Sequence, residues 1–241
     1  MELTHGEEMT AAHRKRLHMA GVDADALNAA RWREVSGPFP EWWHEDGNVL
    51  YFAEGASLAG EIIETLTMFP VRNVLIAIGS EMHLFRSLLI GGDDAIVFID
   101  QNVKLTAGEL YCGAGSTVVL HGPVTATRCA IIDARNGGSI VAGPDQLWAA
   151  NVYVATDDMH RLEDRTTGER INPYGAHIRI GSHVWLGRDA VITGHSDVGD
   201  GVVVGHLSLV RGQKIADYAA VAGIPARVVR ENVGWTEADT P

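Results

Sequence analysis

Residues 180–214 read IGSHVWLGRDAVITGHSDVGDGVVVGHLSLVRGQK, and an aliphatic side chain recurs at every sixth position of this stretch. The recurring members are Ile180, Leu186, Ile192, Val198, Val204 and Val210. The residues four positions after them are Val184, Ala190, Ser196, Val202, Ser208 and Lys214, of which all but Lys214 are small or β-branched. Glycine directly follows four of the first five members of the series.

An α-helix cannot use this period, because positions six apart lie roughly 240° apart around a helix of 3.6 residues per turn. A flat strand has a period of two and gives no reason for the factor of three. A chain that turns a corner at every sixth residue points one aliphatic side chain per side inward, and glycine accommodates the bend. Three sides make a coil of about 18 residues, and such coils stack roughly 4.8 Å apart as parallel strands. The stretch therefore predicts a mainly β fold, a β-solenoid with three parallel sheets.

The rest of the chain is organised around this solenoid. Upstream the period is looser and predicts three or four irregular coils between about Val74 and Ala155, whereas the charged segment 156–178 predicts a protruding loop. Residues 1–46 carry helix formers, and we expect a helical cap whose aromatic side chains plug the open end of the solenoid. Those aromatic residues are Trp32, Phe39, Trp42 and Trp43. The solenoid domain then spans residues 47–230, and residues 231–241 form a C-terminal tail.

Composition narrows the function classes. The 241 residues are 46% hydrophobic and 21% charged, and their formal net charge of −12 disfavours a general nucleic-acid or anionic-membrane surface. Two cysteines are too few for a disulfide framework, and the acidic start MELTHGEEMT is unlike a signal peptide, so we expect a cytoplasmic protein. The most apolar stretch, residues 71–90, is interrupted by charged residues and is not expected to span a membrane.

Four motifs follow one another along the chain: TDDMH at 156–160, RINP at 170–173, IGSHVWLG at 180–187 and VAGIPARVVR at 221–230. Together with the six-residue period, they make the chain resemble the hexapeptide-repeat acyltransferases over roughly residues 100–231. Within that family it is most similar to the O-acetyltransferases that act on sugars and on capsular or lipopolysaccharide glycans. The resemblance implies a left-handed parallel β-helix, an acetyl-CoA donor, a sugar hydroxyl as acceptor, and a homotrimer with active sites in the clefts between subunits.

The resemblance makes His160 the candidate general base. An alcohol is a poor nucleophile at neutral pH, and histidine is the side chain whose ordinary pKa of about 6.5 suits proton removal there. His160 would take the proton of the acceptor hydroxyl as its oxygen attacks the thioester. Asp158 is a candidate catalytic residue that orients the imidazole, and Asp157 shares that option. Alternatively, the two carboxylates only shape a turn.

Trp185 is the second candidate catalytic residue, because a large aromatic is out of keeping with the small side chains around it. Its indole N–H can only donate a hydrogen bond, and its ring can line an acyl pocket or pack at a subunit interface. A donor aimed at the developing oxyanion would stabilise the transition state by roughly 3 kcal/mol. Further candidate substrate contacts are Asp157, Asn172 and His183.

CoA is a polyanion, and the acidic chain has a local basic exception in residues 205–230, whose single acidic residue is Asp217. Arginine suits phosphate through its planar fork of donors. The resemblance gives as candidate cofactor contacts Gly187, Arg188, Gly205, His206, Arg211, Pro225, Arg227 and Arg230. A charged, solvated end of the solenoid is the alternative reading.

His177 and His195 are 18 residues apart, or one coil, and are expected to stack about 5 Å apart on one corner. Related γ-class carbonic anhydrases use histidines from neighbouring coils as zinc ligands, but no third ligand with a fitting spacing is evident, and we predict no metal. The histidine pair nevertheless leaves a metal enzyme of that type as an alternative function. Transfer to an amino-sugar nitrogen, which needs the same base, and a non-catalytic trimeric scaffold are the others.

Overall fold

The computed structural model describes residues 4–37, 39–80 and 83–238. Residues 1–3 and 38 of the expected cap, and residues 239–241 of the tail, lie outside the described residues. The chain folds as a left-handed parallel β-helix of about seven turns, with 39% strand and 11% helix. The mainly β solenoid predicted from the six-residue period is confirmed.

The N-terminal segment contains three short helices and two strands. They are β1 (Thr4–Glu8), α1 (Ala11–Met19), α2 (Ala24–Asn28), β2 (Trp32–Ser36) and α3 (Glu41–Glu45). Helix α1 begins after Thr10, whose hydroxyl accepts a hydrogen bond from the backbone N–H of His13 at 3.2 Å. The N-terminal segment thus contains the expected helices, together with two short polar strands that the sequence did not predict.

From residue 49 onward all regular elements of the described chain except helix α4 are strands. The elements are β3 (Val49–Ala53), α4 (Gly60–Leu66), β4 (Leu75–Ile78), β5 (His83–Gly91), β6 (Ile96–Ile99), β7 (Val103–Gly113), β8 (Thr117–Leu120), β9 (Val124–Ala126), β10 (Ile131–Ala134), β11 (Ser139–Ala142), β12 (Gln146–Trp148), β13 (Tyr153–Ala155), β14 (His177–Ile180), β15 (Val184–Leu186), β16 (Val191–Thr193), β17 (Ser196–Val198), β18 (Val203–Val204), β19 (Leu209–Arg211), β20 (Lys214–Ile215), β21 (Ala220–Ala222) and β22 (Arg227–Arg230). None of the helices in the described part of the chain is long and apolar enough to cross a membrane.

Parallel pairing arranges these strands as three faces. Face 1 contains β3, β4, β6, β8, β11, β14, β17 and β20. Face 2 contains the first part of β7 with β9, β12, β15, β18 and β21, and face 3 contains β5, the second part of β7, β10, β13, β16 and β19. The long strand β7 bends around a corner, since Val103 pairs with β9 and Glu109 pairs with β10. Each coil runs from face 1 through face 2 to face 3.

The aliphatic series of the sequence forms the core ladder of the helix. Its six members are each at most 1% exposed, and the first five small or β-branched residues between them are buried as well. Lys214 is exposed, because the last coil is one residue shorter than its neighbours. Val198 pairs with Ile180 across 18 residues but with Ile215 across 17. Lys214 consequently lies opposite the half-exposed Asp197, and Ile215 continues the aliphatic ladder one residue earlier than the six-residue period predicts.

The cap closes the first coil and also covers one face. Phe39 and Trp43 stack with ring centroids 5.0 Å apart and belong to the core cluster of the β-helix, as the plug prediction required. Trp32 does not plug the open end, because it lies in a second hydrophobic cluster on the outer side of face 1. There Leu17 of α1 and Leu27 of α2 join Trp32 against outward-facing residues of face 1. We call this second cluster and its helices the N-terminal layer.

Two features interrupt the stack downstream. Residues 156–176 leave the helix between β13 and β14, at the edge between face 3 and face 1, and form the protruding loop that the sequence predicted. After β21 the chain reverses, so that β22 pairs antiparallel with it. The tail beyond β22 then returns towards the edge between face 1 and face 2.

Candidate active site

The base of the loop is held by Asp157, which is 4% exposed. Its carboxylate accepts hydrogen bonds from the backbone N–H of Gly175 at 2.9 Å and from Asn136 Nδ2 at 3.3 Å. The first bond joins the two ends of the loop to each other. Asp157 is therefore occupied as a structural anchor, whereas the sequence made it a candidate substrate contact.

His160 lies on the outgoing segment of this loop, and it is exposed. The preceding residue, Met159, has a left-handed φ of +53°, a conformation that non-glycine residues adopt mainly in tight turns and at functional sites. The backbone carbonyl of His160 accepts a hydrogen bond from Asn172 Nδ2 at 2.8 Å. Asn172 is buried and also accepts from the N–H of Leu162 at 2.9 Å. The predicted substrate residue Asn172 thus fixes the backbone that carries the imidazole.

Asp158 binds an arginine. Its Oδ2 lies 2.7 Å from Arg211 Nη2 and 3.5 Å from Asn172 Nδ2. Neither Asp157 nor Asp158 has a hydrogen bond to the His160 ring within the described residues, so the imidazole-orienting arrangement is absent from the single chain. Arg211, expected on CoA phosphate, instead ties the loop to the end of β19.

A polar cluster on face 3 contacts the start of the loop. Arg135 forms two hydrogen bonds to the buried carboxylate of Asp133, at 2.6 and 3.0 Å, and its guanidinium lies 4.0 Å from the centre of the Tyr111 ring. The backbone N–H of Arg135 donates to Thr156 Oγ1 at 2.8 Å. Burial, with the nearby negative charge of Asp133, raises the pKa of Tyr153, which therefore stays a neutral phenol beside the loop.

Trp185 lies on the outer side of face 2 and is 39% exposed. In the coil stack its neighbours are Leu147 of β12 and Val203 of β18. The loop edge, between faces 3 and 1, is the corner of the triangle opposite face 2. His160 and Trp185 therefore leave the β-helix on different sides, and no contact within the described residues joins them.

His183 marks the edge between face 1 and face 2. Its Nδ1 lies 2.6 Å from Asp145 Oδ2, and its ring stacks on Trp235 with centroids 4.0 Å apart and planes 6° apart. Trp235 also lies 6.2 Å from Trp185, measured between ring centroids. Asp145 and Trp235 were missed from the sequence. The one available signal was an aromatic residue in an otherwise small and acidic tail.

Most of the predicted cofactor residues gather on the edge between face 2 and face 3. Gly187 and Gly205 occupy equivalent places in successive coils, and Gly187 N–H donates to the carbonyl of Val204 at 2.7 Å. A Cβ on Gly187 would lie 2.6 Å from the backbone nitrogen of His206, so the close stacking requires glycine. The side chains of Arg188 and His206 are exposed along this edge.

The remaining cofactor candidates separate into two groups. Pro225 and Arg227 lie beside the same edge, where β22 begins and Ala222 pairs with Arg227. Arg230 pairs with Ala220 at the other end of β21, and Arg211 lies on the loop edge. The sequence predicted one basic patch for these arginines. In the structure, Arg227 lies beside the edge between face 2 and face 3, Arg230 lies beside the start of β21 on face 2, and Arg211 lies on the loop edge.

His177 and His195 lie next to each other in successive coils on the loop edge, as expected, with ring centroids 5.7 Å apart and ring planes tilted by 53°. His195 Nδ1 accepts a hydrogen bond from the backbone N–H of His177 at 3.2 Å, and His177 Nδ1 lies 2.9 Å from Ser139 Oγ. Over the part of the chain that the structure describes, no three histidine, cysteine, aspartate or glutamate side chains come together to hold a metal ion.

Two curated proteins to which the chain is similar are named as O-acetyltransferases. The chain is 33% identical over 101 residues to WbbJ of Escherichia coli (strain K12), named for O-acetyl transfer in lipopolysaccharide biosynthesis, covering 39% of this chain and 50% of the relative. It is 38% identical over 98 residues to the polysialic acid O-acetyltransferase of Neisseria meningitidis, covering 41% and 45%. The chain spans about half the length of these curated relatives. No family model matches it.

Among solved structures, the chain is similar to the polySia-specific acetyltransferase NeuO, with a TM-score of 0.61 and 28% sequence identity. The match covers 72% of this chain and 79% of that one. The β-helix, the loop motif and the HVWLG coil fit the hexapeptide-repeat acyltransferase family. Within that family it is similar to O-acetyltransferases named for sugars and polysaccharides.

Proposed function

We propose that the protein is an acetyl-CoA-dependent O-acetyltransferase that modifies a sugar hydroxyl in glycan biosynthesis. The observation that carries this proposal is the geometry of the loop, which exposes the His160 imidazole while Asp157 and Asn172 hold its backbone from buried positions. The named relatives support the same chemistry. A soluble donor and a sugar acceptor are its small-molecule partners.

Acetyl-CoA supplies an acetyl group activated as a thioester. His160 accepts the proton of the acceptor hydroxyl as the hydroxyl oxygen forms its bond to the thioester carbonyl carbon. The Trp185 indole N–H donates a hydrogen bond to the carbonyl oxygen as negative charge develops there. When the carbon–sulfur bond breaks, the imidazolium of His160 returns the proton to the departing sulfur. One proton and one acetyl group move, and no oxidant is needed.

The edge between face 2 and face 3 suits the donor. Gly187 and Gly205 let successive coils stack closely at this edge, and exposed Arg188 and Arg227 add positive charge beside the exposed His206 in an otherwise acidic chain. These residues would hold the phosphate and pantetheine groups of CoA. Arg211 contributes through Asp158 and the loop.

A homotrimer completes the site in this proposal. Since His160 and Trp185 lie on opposite sides of one β-helix, they can act on the same carbonyl only if His160 of one subunit faces Trp185 of the next. Threefold symmetry would repeat this cleft three times. Light scattering coupled to size-exclusion chromatography measures the assembly, and a monomer with full activity would exclude the shared cleft.

The test of the activity is release of the CoA thiol from acetyl-CoA in the presence of candidate sugars. His160→Ala should lower kcat by roughly 100- to 10,000-fold, the usual range for loss of a general base. Binding of CoA, followed by calorimetry, should be unchanged. The matched control is His44→Ala, which removes an exposed histidine of α3. A His160→Ala enzyme with the wild-type rate would end the proposed mechanism.

A further inference from the structure

The C-terminal tail folds back over the β-helix beside Trp185. Residues 234–237, which we call the C-terminal strap, lie at the edge between face 1 and face 2. The Trp235 indole N–H donates to the carbonyl of His183 at 2.9 Å, and His183 Nε2 lies 3.1 Å from the carbonyl of Trp235. With the ring stack, three contacts join this one pair of residues. The strap is thus docked, and its docking site adjoins a candidate catalytic residue.

The docked strap borders a partly open cavity of about 130 Å³ on the outer side of face 2. Thr125 and Leu147 form its floor, Trp235 and His183 line one side, and Asp145 and Glu237 supply carboxylates. Leu147 is the coil neighbour of Trp185, so the cavity adjoins the ring proposed to stabilise the oxyanion. Sites that enclose drug-sized ligands measure about 300–1,000 Å³, so this smaller cavity has room for no more than one sugar ring.

The lining matches the chemistry of a sugar. An indole ring packs against the C–H groups of a pyranose, and carboxylate and hydroxyl oxygens accept hydrogen bonds from its O–H groups. The cavity has no lysine or arginine among its lining residues, and it carries two carboxylates. A carboxylated sugar would therefore meet like charge there, whereas an uncharged ring would not.

We propose that this cavity is the acceptor subsite, that Trp235 is a binding residue in it, and that it takes an uncharged sugar ring rather than a sialic acid. This inference rests on the proposed function and goes beyond it by naming the substrate class. It also separates this chain from the relative named for polysialic acid.

The experiment measures thiol release by the full chain with acetyl-CoA and two acceptors, methyl galactoside and methyl sialoside. The wild type should favour the galactoside at least tenfold in kcat/KM. Trp235→Ala should raise the acceptor KM at least tenfold and leave the KM for acetyl-CoA within twofold. Trp235→Phe should have an acceptor KM close to that of the wild type, because it keeps an aromatic ring in the cavity. Val229→Ala, an exposed apolar position of the C-terminal region, is the control.

A second pair of variants tests the charge. Glu237→Gln should reduce the preference for the galactoside, and the exposed Glu231→Gln should leave it unchanged. A preference for the sialoside, or an unchanged acceptor KM in an active Trp235→Ala enzyme, would overturn the subsite and leave the proposed function standing. Failure of the wild type to acetylate any sugar would overturn both. Melting temperatures of the variants separate loss of binding from loss of folding.

Discussion

At the scale of single residues, a buried polar side chain of the loop positions the backbone of His160, the proposed general base. Asn172 is buried, and both ends of its amide are used, one on the carbonyl of His160 and one on the N–H of Leu162. These bonds fix the backbone on which the imidazole is mounted. A base displaced by about 1 Å can cost 100-fold in rate, so in the proposed mechanism Asn172 is a positioning residue.

We expect Asn172→Ala to lower kcat by roughly tenfold to 100-fold, because the His160 carbonyl loses its donor and the loop samples other conformations. The KM for acetyl-CoA should change less than twofold, since the edge between face 2 and face 3 that we propose for CoA is on another side of the β-helix. Steady-state kinetics with both substrates measure the separation. Asn136→Ala, which removes a longer bond to Asp157, is the matched control. Equal effects on kcat and on both KM values would contradict the positioning role.

Residue contacts across long sequence distances were the part that sequence could not supply. The motif at 156–160 singled out His160, but the pairing of Asp158 with Arg211 depends on how the loop folds back over face 3. The same holds for His183 and Trp235, which are 52 residues apart. Periodicity describes which face a residue occupies, and it carries no information about where a tail or a loop returns.

At the scale of elements, the N-terminal layer is stabilised by a contact that depends on protonation. His13 Nδ1 lies 2.7 Å from the Tyr51 hydroxyl, which can donate to it only while that nitrogen is unprotonated. Burial lowers the pKa of His13 below its ordinary value of 6.5, the charge of Arg16 acts in the same direction, and Glu34 opposes them. The folded chain therefore binds this proton less readily than the unfolded chain.

The sign of the pH effect follows. The contribution of His13 is complete well above pH 6.5, and it is lost as the pH falls below 6.5 towards the lower folded pKa, because the unfolded state then takes up the proton first. We expect the wild type to lose more stability than His13→Gln between about pH 7.5 and pH 5.5. Denaturant unfolding followed by tryptophan fluorescence measures it, with His44→Gln as control. Parallel losses in wild type and His13→Gln would refute the assignment.

The strands of the N-terminal layer also show the limit of local pattern. Strand β1 has the sequence THGEE and pairs antiparallel with β2, although Thr4 is its one residue of the β-branched or aromatic kind that marks a strand. Its conformation comes from the neighbouring edge, which offers unpaired backbone groups. In contrast, the aromatic plug was predictable, because large rings beside the first coil have few other places to be buried.

At the scale of the whole molecule, stability depends on the aliphatic ladder. Leu186 is fully buried within it, and Leu207, one coil further on, is 57% exposed. Leu186→Ala should lower the free energy of unfolding by about 2–5 kcal/mol through lost burial and a cavity. Leu207→Ala should stay within about 0.5 kcal/mol of the wild type. Chemical denaturation compares the two, and similar losses for both would show that the ladder is not the core.

The fold was the most predictable property, because the ladder repeats the same physical requirement in every coil. Irregular coils were harder to delimit. The parallel stack begins at β3, earlier than the loose period near Val74 suggested, because α4 replaces a strand in the first coil and hides the repeat. The shorter last coil likewise displaced Lys214 from its assigned place.

The antiparallel strand β22 ends the stack of parallel coils. A stack of parallel coils ends in a strand whose free backbone groups could accept another coil of the same polarity from a second chain, and the result would be a filament. Because β22 runs the opposite way along β21, a strand arriving there meets the wrong polarity for continued winding. Polymerisation through this end of face 2 is thereby disfavoured, and chains remain able to associate side by side.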